Sequence, residues 1–413
     1  MKNAVVLVWN NFTNDKRVMN ISTSLCDLDY DVTVIAAKEF HDLPVNESCR
    51  YQIFRIPLFS SLYARRSTGR SSECSQSSKS WYNRLKNNKI RLVITGFLNW
   101  FTFNTGALRK ALLEKPTLVY ANDLDTLTIG FIVSRLCNAK LIYDSHEIWL
   151  QGNKFDSASR LRKKWWTYIE KRLIKKADAV IVTTQYRAKY LEDFYDISGI
   201  HVMRNCPRLE AVEPTTLLRD EFAIDPDKVI LLYQGLLMAK RGIFMLVDAI
   251  LNIPDVALVF MGMGKDKGAL ISYIKEKGVG DRVFVKNAVE PEKLLKYTAS
   301  ADIGLQLLDN SGINHYSTIS NKLFEYIMAG LAIIASDFPE IHKIVVGDEL
   351  GLVVNSENKA DISAAVRTLV SDANALASCK EHARNVRHKY TWEQEERQIQ
   401  KILHSFEGGE VHE

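Results

Sequence analysis

Glu325 stands in the stretch SNKLFEYIMAGLAIIAS, Ser320 to Ser336, which reads as a helix running into a strand. Leu323, Phe324, Ile327 and Met328 recur at helical spacing and make one apolar stripe. Ser320 suits an N-cap and Gly330 a stop. The run LAIIA is what a parallel strand buried on both faces requires. Glu325 lies off the stripe, beside Asn321 and Lys322. Periodicity alone allows a solvated glutamate with Lys322 as a weak i, i+3 partner. It also allows a carboxylate that accepts from two vicinal hydroxyls, as on a ribose.

Other polar groups follow apolar runs in the same way. Asn122-Asp123-Leu124-Asp125 follows LVYA, and Asp144-Ser145-His146-Glu147 follows KLIY. Met238-Ala239-Lys240-Arg241-Gly242 comes shortly after LLYQG, and Met261-Gly262-Met263-Gly264-Lys265 follows LVF. Asp, Asn and Ser are ordinary helix caps, but Arg241 and His146 are not. The chemistry these groups suit is phosphate and sugar binding. A helix N-terminus offers free N–H groups and partial positive charge, and Arg241 can give a forked contact to phosphate. GMGKDKGA places Gly262 and Gly264 where a backbone could approach a phosphate, without the full GxGxxG spacing.

These residues need elements that present them together. AVVLVW, DVTVIAA, YQIFRIP, TLVYAND, AKLIYDSH, DAVIVTT and IHVMRN read as one series of strands. VILLYQG, VALVFMG, RVFVK, ADIGLQLL, LAIIAS and LGLVV read as a second, and helical stretches separate most of them. The first helix starts near Asp15, with Val18, Ile21, Leu25 and Leu28 at helical spacing. This βα alternation predicts an α/β chain of two doubly wound parallel-sheet domains, whose ligands sit beyond the strands' carboxyl ends. CPRLEAVEPTTLL, 206–218, reads as an interdomain link. The expected division is 1–205, 206–390, and a C-terminal helix within 391–413 that crosses back to the first domain. Residues 60–89, rich in Ser, Arg and Lys, read as a surface loop.

Composition agrees, with 46% apolar and 25% charged residues among 413. No run of about 18 apolar residues predicts a membrane span, and the N-terminus does not read as a signal peptide. The six scattered cysteines lack metal-ligand spacing and point to reduced thiols in a cytoplasm. The net charge of +5 divides into +12 for residues 1–205 and −7 for the remainder. Part of the basic excess lies in RLRKKWWTYIEKRLIKKAD, 160–178, where Leu161, Trp165, Tyr168, Ile169, Leu173 and Ile174 fall near helical spacing. That pattern fits a core-packed helix with a solvated basic face, or an interfacial helix on an anionic membrane. No recognition-helix or aromatic-basic strand pattern supports nucleic acid as a partner.

The chain resembles the retaining glycosyltransferases of family 4, which have the GT-B fold, two Rossmann-like domains facing across a cleft. NKLFEYIMAGLAIIASDFPE, YQGLLMAKRG, YANDLDTLTIGFIVSRLCNAKLIYDSHEIW, NDKRV with YDVTVIAA, and YTWEQE carry the resemblance, which covers nearly everything but 60–89. It implies transfer of a hexose from a nucleotide diphosphate sugar to a glycan or lipid-linked glycan, as in cell-surface polysaccharide biosynthesis. It implies catalytic roles for His146, Arg241 and Glu325. Donor contacts would come from Gly235, Lys240, Gly262, Gly264, Ser317, Ser320, Asn321, Lys322 and Glu325. Asn14, Asp123, Asp125 and Glu147 would lie on the acceptor side. No metal or other cofactor is expected, and the expected location is the cytoplasm, with peripheral association at the inner face of a membrane as the alternative. The sequence departs from the family pattern at Ser317, where a first glutamate is expected, and at Leu236, where an arginine is expected. WNNFTND replaces the glycine pair of the first loop. An epimerase or hydrolase of the same fold, or a non-catalytic nucleotide-sugar binder, is the alternative.

Overall fold

The structure, a computed structural model, describes residues 2–13, 15–38, 43–60, 89–151 and 160–408. Asn14 and most of the 60–89 segment lie outside them.

The described residues divide into two units: Met1–Val182 with Leu191–His201 and Ile399–Glu413, and Thr183–Tyr190 with Val202–Gln398. In chain order the first sheet uses β1 (Lys2–Val8), β2 (Tyr30–Lys38), β3 (Asn46–Ser48), β4 (Gln52–Pro57), β5 (Leu118–Asn122), β6 (Lys140–Ser145), β7 (Ala179–Val182) and β8 (His201–Val202). The intervening helices are α1 (Lys16–Asp27), α2 (Lys89–Glu114), α3 (Leu124–Cys137), α4 (Arg160–Leu173) and α5 (Gln185–Tyr195). The strand order is β3-β4-β2-β1-β5-β6-β7-β8. Every expected strand of this series is present. The short, exposed β3, antiparallel to β4, has no apolar pattern to announce it. Asp15 caps α1 by accepting from the Val18 N–H at 3.1 Å.

The second sheet uses β9 (Val229–Leu236), β10 (Val256–Met263), β11 (Val283–Lys286), β12 (Ile303–Gln306), β13 (Ala332–Ser336) and β14 (Gly351–Val354), in the order β11-β10-β9-β12-β13-β14. Its helices are α6 (Leu217–Phe222), α7 (Ile243–Ala249), α8 (Lys267–Glu276), α9 (Pro291–Thr298), α10 (Ile313–Tyr316), α11 (Asn321–Ala329), α12 (Pro339–Val345), α13 (Lys359–Ser371), α14 (Ala373–Val386) and α15 (Trp392–Phe406). Alternate residues of β9 serve two cores. Ile230 and Leu232 join Phe324 and Ile327 on one face, while Leu231 and Tyr233 join Leu246 and Phe260 on the other. Period-2 alternation with both faces apolar is the signature of a sheet covered on both sides. In each sheet the chain reverses direction beside its first strand, at β1/β5 and at β9/β12, and such switch points open a crevice at the strands' carboxyl ends.

Two boundaries differ from expectation. Residues 206–218 are not a bare link, because Cys206 and Leu218 are buried in the core of the second unit. Residues 183–190 group with the second unit rather than the first. There Arg187 and Thr184 are tied to the 314–317 segment by hydrogen bonds that no local pattern in the sequence encodes.

Candidate functional sites in the two units

In the second unit Glu325 lies on α11 and is half-buried. Its carboxylate accepts from the Gln234 amide at 2.6 Å, and the Gln234 carbonyl accepts from the Thr298 hydroxyl at 2.8 Å. Gln234 is buried near the carboxyl end of β9. Tyr326, the next residue, locks the helix in register. Its hydroxyl accepts from the Gln234 N–H at 3.1 Å and faces the Leu232 and Leu305 carbonyls at 3.2 Å. The ring sits where a Cβ on Gly304 would come within 2.4 Å, so β12 needs glycine there. Glu325 is thus held at the β9 end by an amide, not by the weak Lys322 pair that spacing alone allowed.

Arg241 closes a short turn after β9, its N–H bonded to the Met238 carbonyl at 2.9 Å. The Tyr233 hydroxyl donates to the Leu236 carbonyl at 3.0 Å, and the Arg241 charge acts on it. Burial pushes that phenol up to about 12 against the arginine's opposing pull. Lys240 and Leu236 are exposed, and Gly235 has a φ of +118°, a left-handed value that favours glycine. Lys322 is buried at 6% exposure with its Nζ 4.0 Å from the Tyr233 ring centroid. That ammonium has no hydrogen-bond partner among the described residues. Burial and then the Arg241 charge lower it to about 7, with Glu325 opposing. The buried Ser320 hydroxyl oxygen is likewise without a hydrogen-bond partner among the described residues, although Ser320 occupies the N-cap position of α11. Asn321 is exposed and accepts from the Asn205 amide at 3.0 Å.

Strand packing accounts for the glycines at the end of β10. A Cβ on Gly262 would lie 1.8 Å from the Gly235 carbonyl oxygen, and one on Gly264 2.0 Å from that of Leu237. Ser317 is fully buried. Its hydroxyl accepts from Arg187 Nε at 3.2 Å and its carbonyl from the Thr184 hydroxyl at 3.0 Å.

In the first unit the residues after β5 and β6 meet around Asp144. Arg17 grips the Asp144 carboxylate with two bonds of 2.9 Å, and the Tyr120 hydroxyl adds one of 2.6 Å. Burial would raise that carboxyl, but Arg17 and His146 hold it well below the usual carboxylate range. The His146 ring lies between two carboxylates, Nε2 3.4 Å from Asp144 and Nδ1 3.6 Å from Asp123. Burial opposes its charge, yet the two carboxylates outweigh burial and raise it to about 9. The two carboxylates thus favour the imidazolium form of His146, which donates at both nitrogens. Asp123 also accepts from the His146 N–H at 3.0 Å and holds a left-handed φ of +61°. For a non-glycine residue that is stored strain, which concentrates at functional sites. Asp125 is half-buried in the first turn of α3, and Glu147 is exposed. The glycine-free first loop is braced otherwise: Asn10 bonds Asp15 and the Phe12 N–H, and Arg55 reaches the Asn11 carbonyl at 2.9 Å.

Arg17 and Tyr120 on Asp144, Gln234 on Glu325, and Tyr233 beside Lys322 and Arg241 were not expected from the sequence as site residues. Arg17 and Asp144 sit inside the NDKRV and DSHE stretches. Gln234, the one amide in the VILLYQG run, was the other available signal. Among the described residues no three or more His, Cys, Asp or Glu side chains are grouped to hold a metal ion.

Two family models match the chain. Glycosyltransferase Family 4 matches 16–210, and Glycosyl transferases group 1 matches 215–386. An uncharacterized glycosyltransferase of Methanocaldococcus jannaschii is 21% identical over 313 residues, covering 73% of this chain and 76% of that protein. The chitobiosyldiphosphodolichol beta-mannosyltransferase of Candida albicans is 26% identical over 268 residues, 59% of this chain and 57% of that protein. Among solved structures, sucrose-phosphate synthase from Thermosynechococcus elongatus superposes with a TM-score of 0.77 at 16% identity, covering 99% of this chain and 100% of that one. Anabaena HepE, solved with UDP and glucose, gives 0.72 at 15% identity, covering 98% and 100%.

Proposed function

This chain belongs to the group 1 glycosyltransferases with the GT-B fold, and from that premise we propose that it is a retaining hexosyltransferase. It moves a hexose from a nucleoside diphosphate sugar to a hydroxyl of a glycan or lipid-linked glycan. The observation that carries this reading is the pairing of Glu325, held to Gln234 at the end of β9, with Arg241 on the turn that follows the same strand. One supplies an acceptor for ribose hydroxyls, the other a fixed cation for phosphate.

Transfer breaks the bond between the anomeric carbon and a diphosphate oxygen, so negative charge grows on the leaving diphosphate. Arg241 and the first-turn N–H groups of α11 are preorganised to meet it, which is electrostatic catalysis. In this reading those fixed charges do the work of a metal, and none is required. In the first unit the protonated His146, steadied by Asp123 and Asp144, donates to a sugar or acceptor hydroxyl. UDP and UDP-glucose in the HepE structures favour a UDP-sugar donor. A glycan acceptor is favoured by relatives named for dolichol-linked mannosyl transfer and, as putative, for teichuronic acid biosynthesis. No helix among the described residues is long and apolar enough to cross a membrane. Access to a lipid-linked acceptor would come through α4, whose Leu161, Trp165 and Tyr168 are 80%, 62% and 55% exposed amid basic residues.

The test is a thermal-shift panel of UDP-, GDP- and ADP-sugars. A ligand at about 100 times its Kd adds roughly 2.7 kcal/mol of stability, and one nucleotide series should give that shift. If none of the three raises the melting temperature, the donor site is misread. Release of free sugar at the same rate with and without glycan acceptors would make the protein a hydrolase instead.

A further inference from the structure

A lysine in the first turn of a helix is at the wrong end of the dipole, where backbone N–H groups already concentrate positive charge. Lys322 is the second residue of α11, and three features add to its cost. It is buried, its ammonium has no hydrogen-bond partner among the described residues, and Arg241 lies close enough to repel it. The charged and titratable groups facing it are Tyr233 on β9, whose ring lies beneath it, Arg241 on the turn after β9, and Glu325 one turn along α11. Glu325 already accepts from Gln234, and it favours the Lys322 charge without a hydrogen bond to the ammonium. A buried cation is ordinarily paired. Among the described residues no anion is hydrogen-bonded to the Lys322 ammonium.

We propose that Lys322 is a second diphosphate-binding cation, which together with Arg241 matches the two negative charges of a nucleoside diphosphate sugar and takes up a proton as the donor binds. This rests on the donor-site reading above and deepens it. Leu236, at the end of β9, supplies no charge. Lys322 supplies it instead from the facing helix, and the Ser320 hydroxyl at the N-cap of that helix, without a hydrogen-bond partner among the described residues, offers one more donor to a phosphate. Without ligand the ammonium titrates near 7, and a diphosphate beside it would raise that value. Donor affinity should therefore be greatest below pH 7 and fall as pH rises above it.

The experiment is calorimetric titration of UDP into wild type, Lys322→Met and Lys322→Arg, from pH 6 to pH 8.5, in buffers of different ionisation heat. Proton uptake by UDP itself is common to all three proteins and cancels in the comparison. Wild type should take up an extra fraction of a proton near pH 7.5. Its affinity should drop about tenfold or more across the range, since each pH unit beyond the free pKa costs up to about tenfold. Lys322→Met should bind roughly 10- to 100-fold more weakly at pH 6, the worth of a hydrogen bond to a charged group, with no extra uptake. It should melt no lower than wild type without ligand, because a buried charge has been removed. Lys322→Arg should keep most of the affinity and lose the extra uptake. Wild-type affinity and proton uptake in a folded Lys322→Met would overturn the assignment and leave the donor site standing. Failure of wild type to bind UDP, GDP or ADP would overturn the donor site, and this inference with it.

Discussion

Gln234 divides its amide between Thr298 and Glu325, so the carboxylate is aimed before any ligand arrives. Glu325→Ala should weaken nucleotide-sugar binding roughly 10- to 100-fold, because hydrogen bonds to a charged group are worth about 1.5–3 kcal/mol. The fold should survive, since the residue is off the apolar stripe of α11. Unchanged affinity by calorimetry would return Glu325 to the status of a surface charge. His146 gives a pH signature of its own. Its folded pKa of about 9 exceeds the ordinary 6.5. Its stabilising contribution is thus fully present below pH 6.5 and lost as pH rises through 9, on the order of 3 kcal/mol in all. Wild type minus His146→Asn unfolding free energies, measured by urea titration from pH 6 to pH 10, should shrink over that window. A pH-independent difference would mean that Asp123 and Asp144 do not charge the ring.

At the scale of elements, α11 and α4 show opposite uses of an amphipathic pattern. Leu323, Phe324, Ile327 and Met328 of α11 are all buried, and the helix is a wall of the core. In α4 the single buried residue is Glu170, which accepts from the Tyr143 hydroxyl at 2.8 Å and the Tyr195 hydroxyl at 2.6 Å. The helix is held near its C-terminal end by that carboxylate, leaving Leu161, Trp165 and Tyr168 outside with their basic neighbours. Exposed Ile94, Phe97 and Phe101 repeat the theme on α2, and both helices pack against α3. Such a surface should pellet with anionic liposomes, where Lys and Arg contribute about 1 kcal/mol each, and be released by salt. Neutral liposomes should leave it in solution. Replacing Trp165 and Leu161 by serine should abolish pelleting without changing the melting temperature. Equal behaviour with both lipids would make α4 a solvated face and the acceptor a soluble glycan.

For the whole molecule, charge divides between a basic first half, +12, and an acidic second half, −7. Because Arg241, Lys322 and the start of α11 gather positive charge at the end of β9, EDTA should leave turnover intact. Loss of activity restored by Mg²⁺ would show that these cations do not suffice for the leaving group.

How much of this was legible beforehand follows from the range of the interactions involved. The strands of both sheets, the cap at Asp15 and the helix carrying Glu325 depend on neighbours within a few positions, and period-2 and 3.6-residue patterns display them directly. The short edge strand β3 did not show, because three exposed residues carry no apolar pattern. Residues 206–218 read as a link because two prolines break periodicity, yet Cys206 and Leu218 find core partners far along the chain. Candidate residues at the strand ends could be named, but not their partners. Glu325 meets Gln234 91 positions away and Arg17 meets Asp144 127 positions away. Which carboxylate is held low, which imidazole is pushed up and which buried lysine lacks a hydrogen-bond partner among the described residues depend on burial and on charges brought together by the sheets. Those are properties of three-dimensional neighbourhood, and only the tertiary structure decided them.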